Sequence, residues 1–185
     1  MIEIRIHGYG GQGAVTLATL LMQAATNNGK HSQALPFFGV ERRGAPVRAV
    51  VRISDDEIRV HSQHCTADLI VLMSDNLYDI AVSDSLRYGV RFIVNSNDAG
   101  YECKHPGVIF DAAKVAEEHG LGTYAAAINI PLYAACCAML DIPCKVMKAT
   151  LLEKWGGEAG KRNASAAEAA YRLTARRMKN EQENG

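Results

Sequence analysis

Neither sign of charge is in surplus in this chain. Its 185 residues hold 20 Lys and Arg against 20 Asp and Glu. Affinity for phosphate polymers and anionic membrane surfaces comes from an excess of Lys and Arg, so the balance argues against a general nucleic-acid or membrane binder. Neutrality also removes the self-repulsion that keeps soluble monomers apart, which favours association with a partner. No stretch approaches the roughly 20 apolar residues of a transmembrane helix. The opening Met1–His7 alternates like a strand and lacks the apolar core of a secretory signal, which predicts a cytoplasmic protein. The five cysteines, Cys65, Cys103, Cys136, Cys137 and Cys144, include no CxxC pair. Tetrathiolate zinc and iron–sulfur clusters want ligands paired close in sequence. Free thiols are therefore expected, with Cys136 and Cys137 as buried packing groups and any cluster on another chain. Also lacking are GxSxG, a Walker lysine and a Cys-His nucleophile arrangement, as well as repeats, low-complexity segments and linkers. Residues 1–185 read as one domain without a self-sufficient active site.

What is present alternates strand and helix. Ile2, Ile4 and Ile6 predict a strand running into Gly8-Tyr9-Gly10-Gly11-Gln12-Gly13, and Leu17, Leu20, Leu21, Ala24 and Ala25 then carry a helix to a left-handed stop at Gly29. A second strand is expected over Ser32–Leu35, closed by Pro36. Val47, Ala49, Val51 and Ile53 alternate as a third strand, and Ile58 with Val60 reads as its hairpin partner across a Ser54–Glu57 turn. The continuous apolar run Leu69–Met73 predicts a central parallel strand. A helix through Leu77, Ile80 and Leu86 follows, then strands at Val90–Val94 and Val108–Phe110. Helices are expected over Ala112–His119, Thr123–Leu140 with a break at Pro131, Val146–Trp155 and Ala164–Met178. The fold class is α/β, a Rossmann-like three-layer domain with a mostly parallel sheet plus a β-hairpin insertion.

Gly8-x-Gly10-x-x-Gly13 between strand and helix has the form of a dinucleotide fingerprint. Its second half, an acid about 20 positions on to hold the ribose, is absent from Lys30–Pro36, as is an arginine for a 2′-phosphate. The turn is thus either a phosphate cradle or a tight turn without a ligand, with Gln12 offering a neutral donor and acceptor. Glu41-Arg42-Arg43-Gly44 follows a Pro-Phe-Phe run in a loop-like segment, where adjacent arginines can converge on one anion. Arg48 and Arg52 share a face of the next strand, so Glu41–Arg52 holds four arginines and one acid, a basic patch. A stiffening Glu41–Arg pair competes with a phosphate-bearing or acidic partner as its explanation. His61 and His64 are too few for a metal site, Ser74-Asp75-Asn76 reads as a helix cap, and the basic residues between Lys161 and Lys179 read as a solvated helix face.

Ile4-Arg-Ile-His-Gly8-Tyr-Gly10-Gly11-Gln12-Gly13, Phe38-Gly-Val40-Glu41-Arg42-Arg43-Gly44-Ala45-Pro46-Val47 and Val51-Arg-Ile-Ser54 closely resemble the gamma subunit of 2-oxoacid:ferredoxin oxidoreductases, nearest the pyruvate and branched-chain branch. Asp68, Asn129 and Asn163 fit the same pattern, while Val40 stands where such chains commonly carry Pro. The resemblance spans almost the whole chain and implies a non-catalytic subunit of a complex that decarboxylates a 2-oxo acid to an acyl-CoA and passes electrons to a low-potential acceptor. It further implies that thiamine diphosphate, Mg and iron–sulfur clusters lie on catalytic alpha and beta subunits and an iron–sulfur delta subunit. Ferredoxin or an NAD-reducing flavin subunit lies downstream, and coenzyme A is the co-substrate. The 2-oxo acid is expected to be held mostly by the other subunits. The glycine turn (Gly8, Gly10, Gly11, Gln12, Gly13), the loop (Glu41, Arg42, Arg43, Gly44) and Arg48 are the candidates for binding coenzyme A phosphates or a subunit interface; no residue is assigned as catalytic or metal-binding. A stand-alone NAD(P)-binding oxidoreductase and a ligand-free scaffold subunit are the alternatives.

Overall fold

The alternating isoleucines at the start build β1 (Ile2–Tyr9), the first strand of a six-stranded sheet in the order β2-β3-β1-β4-β5-β6. This computed structural model describes residues 1–37, 45–60, 62 and 64–183. The remaining elements are α1 (Ala14–Asn27), β2 (His31–Phe37), β3 (Pro46–Ser54), β4 (Ala67–Leu72), α2 (Tyr78–Val82), β5 (Leu86–Asn95), β6 (Gly107–Phe110), α3 (Ala112–Glu118), α4 (Asn129–Met139), α5 (Cys144–Trp155) and α6 (Gly157–Glu183). Strand β3 runs antiparallel to both its neighbours, and β1, β4, β5 and β6 pair in parallel. Five strands therefore share one direction, as the expected mostly parallel sheet requires.

The period of two sorts each strand between unequal layers. Ile4 and Ile6 of β1, Val51 of β3 and Leu69 and Val71 of β4 meet Leu17 and Leu21 of α1, Tyr133 and Cys136 of α4, Leu151 of α5 and Ala166 and Ala170 of α6. Fully buried leucines such as Leu17 and Leu21 each stabilise the fold by roughly 1.5–3 kcal/mol. The small residues of α4 and α6 are buried together in this layer, and Cys136 and Cys137 are 0 % exposed, as packing groups should be. Burial raises both thiols above their ordinary range. On the opposite face, Val50, Ile70, Leu72, Phe92 and Val94 are covered by Leu77, Ala81 and coil, so this third layer is thin. No helix among the described residues is long and apolar enough to cross a membrane.

Several elements depart from the periodicity reading. The antiparallel ribbon exists, but β3 pairs with β2 (Ala34↔Val51) instead of with Ile58–Val60, which forms no strand. The Arg52 guanidinium takes the carbonyls of Val60, Ser62 and His64 that a strand ladder would have used. Strand β2 continues through Pro36, which an edge strand tolerates because one row of its backbone donors needs no partner. The helix expected through Leu86 is one 3₁₀ turn plus the five residues of α2, and Leu86 opens β5. Ser74 occupies the cap position of that turn, but its side chain makes no capping bond. Pro131 does not break α4. It lies in the first turn, where its absent N–H is one that a helix start leaves unpaired, and the change of helix type comes earlier, after a 3₁₀ segment at Ala125–Ile128. Helix α6 begins at Gly157 and spans 27 residues; Lys161, Arg162, Arg172, Arg176, Arg177 and Lys179 all stand exposed along it.

Candidate functional site

Two parallel neighbours, β1 and β4, send their connections to opposite faces: α1 packs on the thick layer, while Leu77 and Ala81 after β4 pack on the thin one. In open α/β sheets the crevice at the carboxyl ends of such a pair is where ligands and partners bind. The glycine turn sits there. An added Cβ on Gly8 would lie 2.8 Å from Met73 Sδ, and one on Gly13 would lie 2.5 Å from Asn129 Nδ2. Gly13 caps α1 in the left-handed conformation (φ 85°) without a side-chain bond. The Gln12 side chain folds back on the turn itself, its Oε1 accepting from the Tyr9 N–H at 2.7 Å, so this oxygen braces the loop. Tyr9 Oη donates to Asn76 Oδ1 across the crevice at 3.1 Å.

The strand order explains the absent ribose acid. In a dinucleotide fold the second strand lies beside the first and brings its acid to the turn. Here β3 is interposed between β1 and β2, moving the tip of β2 one further strand away, about 5 Å. What reaches the turn instead is the start of β3. Tyr9 pairs with Pro46, and the Gly10 N–H donates to the Ala45 carbonyl at 3.0 Å. The glycine turn therefore meets Ala45 and Pro46, the described end of the second motif, at one end of the sheet. Glu41, Arg42, Arg43 and Gly44 themselves lie outside the described residues.

The basic patch expected over Glu41–Arg52 is not continuous. Arg52 is 0 % exposed, with its Nε on Glu3 Oε1 at 2.8 Å. Arg48, on the same face of β3, forms an ion pair with Asp84. Sequence reasoning missed the rest of this polar layer. Glu3, Arg5 and His7 alternate with Ile4 and Ile6, the pattern of a half-exposed strand, yet all three are buried. Arg5 is 1 % exposed; its Nη atoms donate to the carbonyls of Cys65, Ser85 and Ala81, and its Nε donates to His7 Nε2 at 3.1 Å. Accepting at Nε2 leaves the His7 proton on Nδ1. Burial first, and then the cations Arg5 and Arg48, push His7 down to about 4.

The folded chain keeps His7 neutral at a pH where the unfolded chain protonates it. Stability is expected to fall as the pH drops from about 6.5 towards about 4, by up to about 3 kcal/mol. Urea unfolding at pH 7, 5.5 and 4.5 should show a smaller pH-dependent loss in His7→Gln than in the parent chain. Parallel curves for the two proteins would refute the assignment.

Among the described residues no group of three or more His, Cys, Asp and Glu side chains is placed to hold a metal ion. Residues 3–173 match the family described as pyruvate ferredoxin/flavodoxin oxidoreductase. The chain belongs to that family. It is 42 % identical over 183 residues to the pyruvate/ketoisovalerate oxidoreductases common subunit gamma of Thermococcus kodakarensis, covering 94 % of this chain and 97 % of that protein. It is 40 % identical over 176 residues to the pyruvate synthase subunit PorC of Methanothermobacter marburgensis, covering 92 % and 96 %. The crystal structure of the pyruvate oxidoreductase subunit PORC of Thermotoga maritima superposes with a TM-score of 0.76 at 27 % identity, covering 92 % of this chain and 95 % of that one. The gamma-subunit resemblance carried by the glycine turn and the Glu41–Val47 motif is thereby confirmed over nearly the whole chain.

Proposed function

We propose that this chain is the non-catalytic gamma subunit of a multi-subunit, CoA-acylating 2-oxoacid oxidoreductase, and that the carboxyl end of its sheet faces the catalytic subunits over their thiamine diphosphate. The observation that carries this reading is the Gly10 N–H to Ala45 carbonyl bond, which sets the glycine turn against the foot of the arginine segment. Arg42 and Arg43 then offer planar forks suited to the phosphates of coenzyme A or to carboxylates of a partner. Arg48, at the start of β3, is engaged by Asp84. Thiamine diphosphate, Mg and the iron–sulfur clusters belong to alpha, beta and delta subunits, and electrons leave to ferredoxin or to an NAD-reducing flavin subunit. The complex works in the cytoplasm. A stand-alone NAD(P) enzyme is disfavoured by the displacement of β2 from β1.

The test is Arg42→Ala/Arg43→Ala in the assembled complex, with acyl-CoA formation followed against coenzyme A concentration. Losing two charge-assisted hydrogen bonds of roughly 1.5–3 kcal/mol each should raise the KM for coenzyme A by about 100-fold or more and leave kcat little changed. An unchanged KM in an intact complex rules out the phosphate role. Failure of the variant to co-purify with the catalytic subunits instead assigns the arginines to the interface.

A further inference from the structure

Asp84 lies in the turn between α2 and β5, outside both sequence motifs. Its Oδ2 is shared by two arginines: Arg48 Nη1 hydrogen-bonds to it, and Arg5 Nη1 stands 3.8 Å away. The two sides differ in environment. The Arg48 and Asp84 side chains are 34 % and 42 % exposed, whereas that of Arg5 is 1 % exposed. An ion pair this accessible holds little by itself, because water competes and both side chains must be ordered. Here the turn carrying Asp84 is already fixed, since the adjacent Ser85 carbonyl and the Ala81 carbonyl of α2 both accept from Arg5.

The connections on either side reach the candidate site. Arg48 is the third residue of β3 and the register partner of His7, while Pro46 is the partner of Tyr9. Ala45, just before β3, receives the Gly10 N–H. On the other branch Arg5 donates to His7, which directly precedes Gly8. A single carboxylate thus ties the strand that leads out of the arginine segment to the strand that leads into the glycine turn.

We propose that Asp84 is a positioning residue: by holding Arg48 against Arg5, it fixes the start of β3, and with it the Ala45 carbonyl, beside the glycine turn. Its consequence for catalysis rests on the reading that this end of the sheet serves coenzyme A or the catalytic subunits. The geometric claim is independent of that reading.

The direct reporter is the Gly10 amide, whose acceptor is the Ala45 carbonyl. Hydrogen exchange measured by NMR on the full chain should show the Gly10 amide exchanging about tenfold faster in Asp84→Asn and in Arg48→Gln than in the parent, while core amides such as Leu20 of α1 and Val71 of β4 keep their rates. Arg48→Gln leaves the Asp84–Arg5 contact in place and serves if Asp84→Asn folds poorly. Unchanged Gly10 exchange in Arg48→Gln overturns the proposal. So does equal acceleration at Gly10, Leu20 and Val71, which marks a general loss of stability.

A kinetic arm separates the two claims. In the assembled complex Arg48→Gln should raise the KM for coenzyme A several-fold with kcat preserved, and Arg48→Lys should restore it. Faster Gly10 exchange with an unchanged KM upholds the positioning role and refutes the coenzyme A reading. Unchanged exchange alongside a raised KM in Arg42→Ala/Arg43→Ala refutes the positioning role and upholds that reading.

Discussion

Arg52→Met is expected to lower the free energy of unfolding by about 4 kcal/mol, because it strands a buried carboxylate. Arg52 Nε meets Glu3 Oε1 at 2.8 Å, and its Nη atoms donate to the carbonyls of Val60, Ser62 and His64 at 3.3, 2.7 and 2.8 Å. Without the guanidinium the three carbonyls lose a donor. Glu3, whose side chain is 9 % exposed, keeps one hydrogen bond at its other oxygen, from the Thr66 N–H at 3.1 Å, and a longer contact with Arg87 at 3.8 Å. Removing one member of a buried pair leaves the other charge uncompensated, whereas removing both abolishes the charge along with its partner. Glu3→Gln/Arg52→Met should accordingly cost less than Arg52→Met alone, a strongly non-additive result in urea unfolding. A single-variant loss below about 1 kcal/mol, or simple additivity, would show that the pair does not hold the coil over the thin face of the sheet.

Gly13→Ala should cost about as much, roughly 4 kcal/mol, for a different reason. The left-handed backbone at φ 85° penalises an alanine by about 1–3 kcal/mol, and its Cβ would sit 2.5 Å from Asn129 Nδ2. Asn129 opens α4 and is 7 % exposed, so its side chain has little room to retreat, which adds an overpacking cost of about 1–3 kcal/mol. Gly11 is the internal control. It has φ 98° but nothing within 4 Å of an added Cβ, so Gly11→Ala should show only the backbone penalty, about 1–3 kcal/mol. Equal losses in the two variants would show that Asn129 yields to the new methyl group and that the close approach of turn and helix is not required.

Much of this arrangement is legible in the residues, and the exceptions have definite causes. The isoleucines at 2, 4 and 6, the apolar run of β4 and the leucines of α1 declare their elements because burial on one or both faces imposes a period. The left-handed glycines after α1 and within the turn are equally plain, since few other residues adopt that backbone. The partner of β3 was hidden because pairing depends on long-range register, and the Ile58–Val60 alternation was a local imitation of a strand. The charged layer was hidden too. Glu3, Arg5, His7 and Arg52 alternate as a solvated face would, and only a coil folded across that face turns them into buried donors and acceptors. Of the candidate site, the glycine turn and Arg48 could be named beforehand, whereas Asp84 lies in a Ser-Asp-Ser turn with no distinguishing pattern.

The sequence by itself determined the α/β class, the glycine turn before α1, the lack of a ribose acid and the family resemblance, because each depends on residues near one another in the chain. Only the tertiary structure decided that β3 is inserted between β1 and β2, that the glycine turn meets the foot of the arginine segment, and that Asp84 joins Arg48 to Arg5 and His7. These contacts link residues 35 to 79 positions apart, and they exist because an antiparallel strand set between the edge strand and β1 brings those segments to the same end.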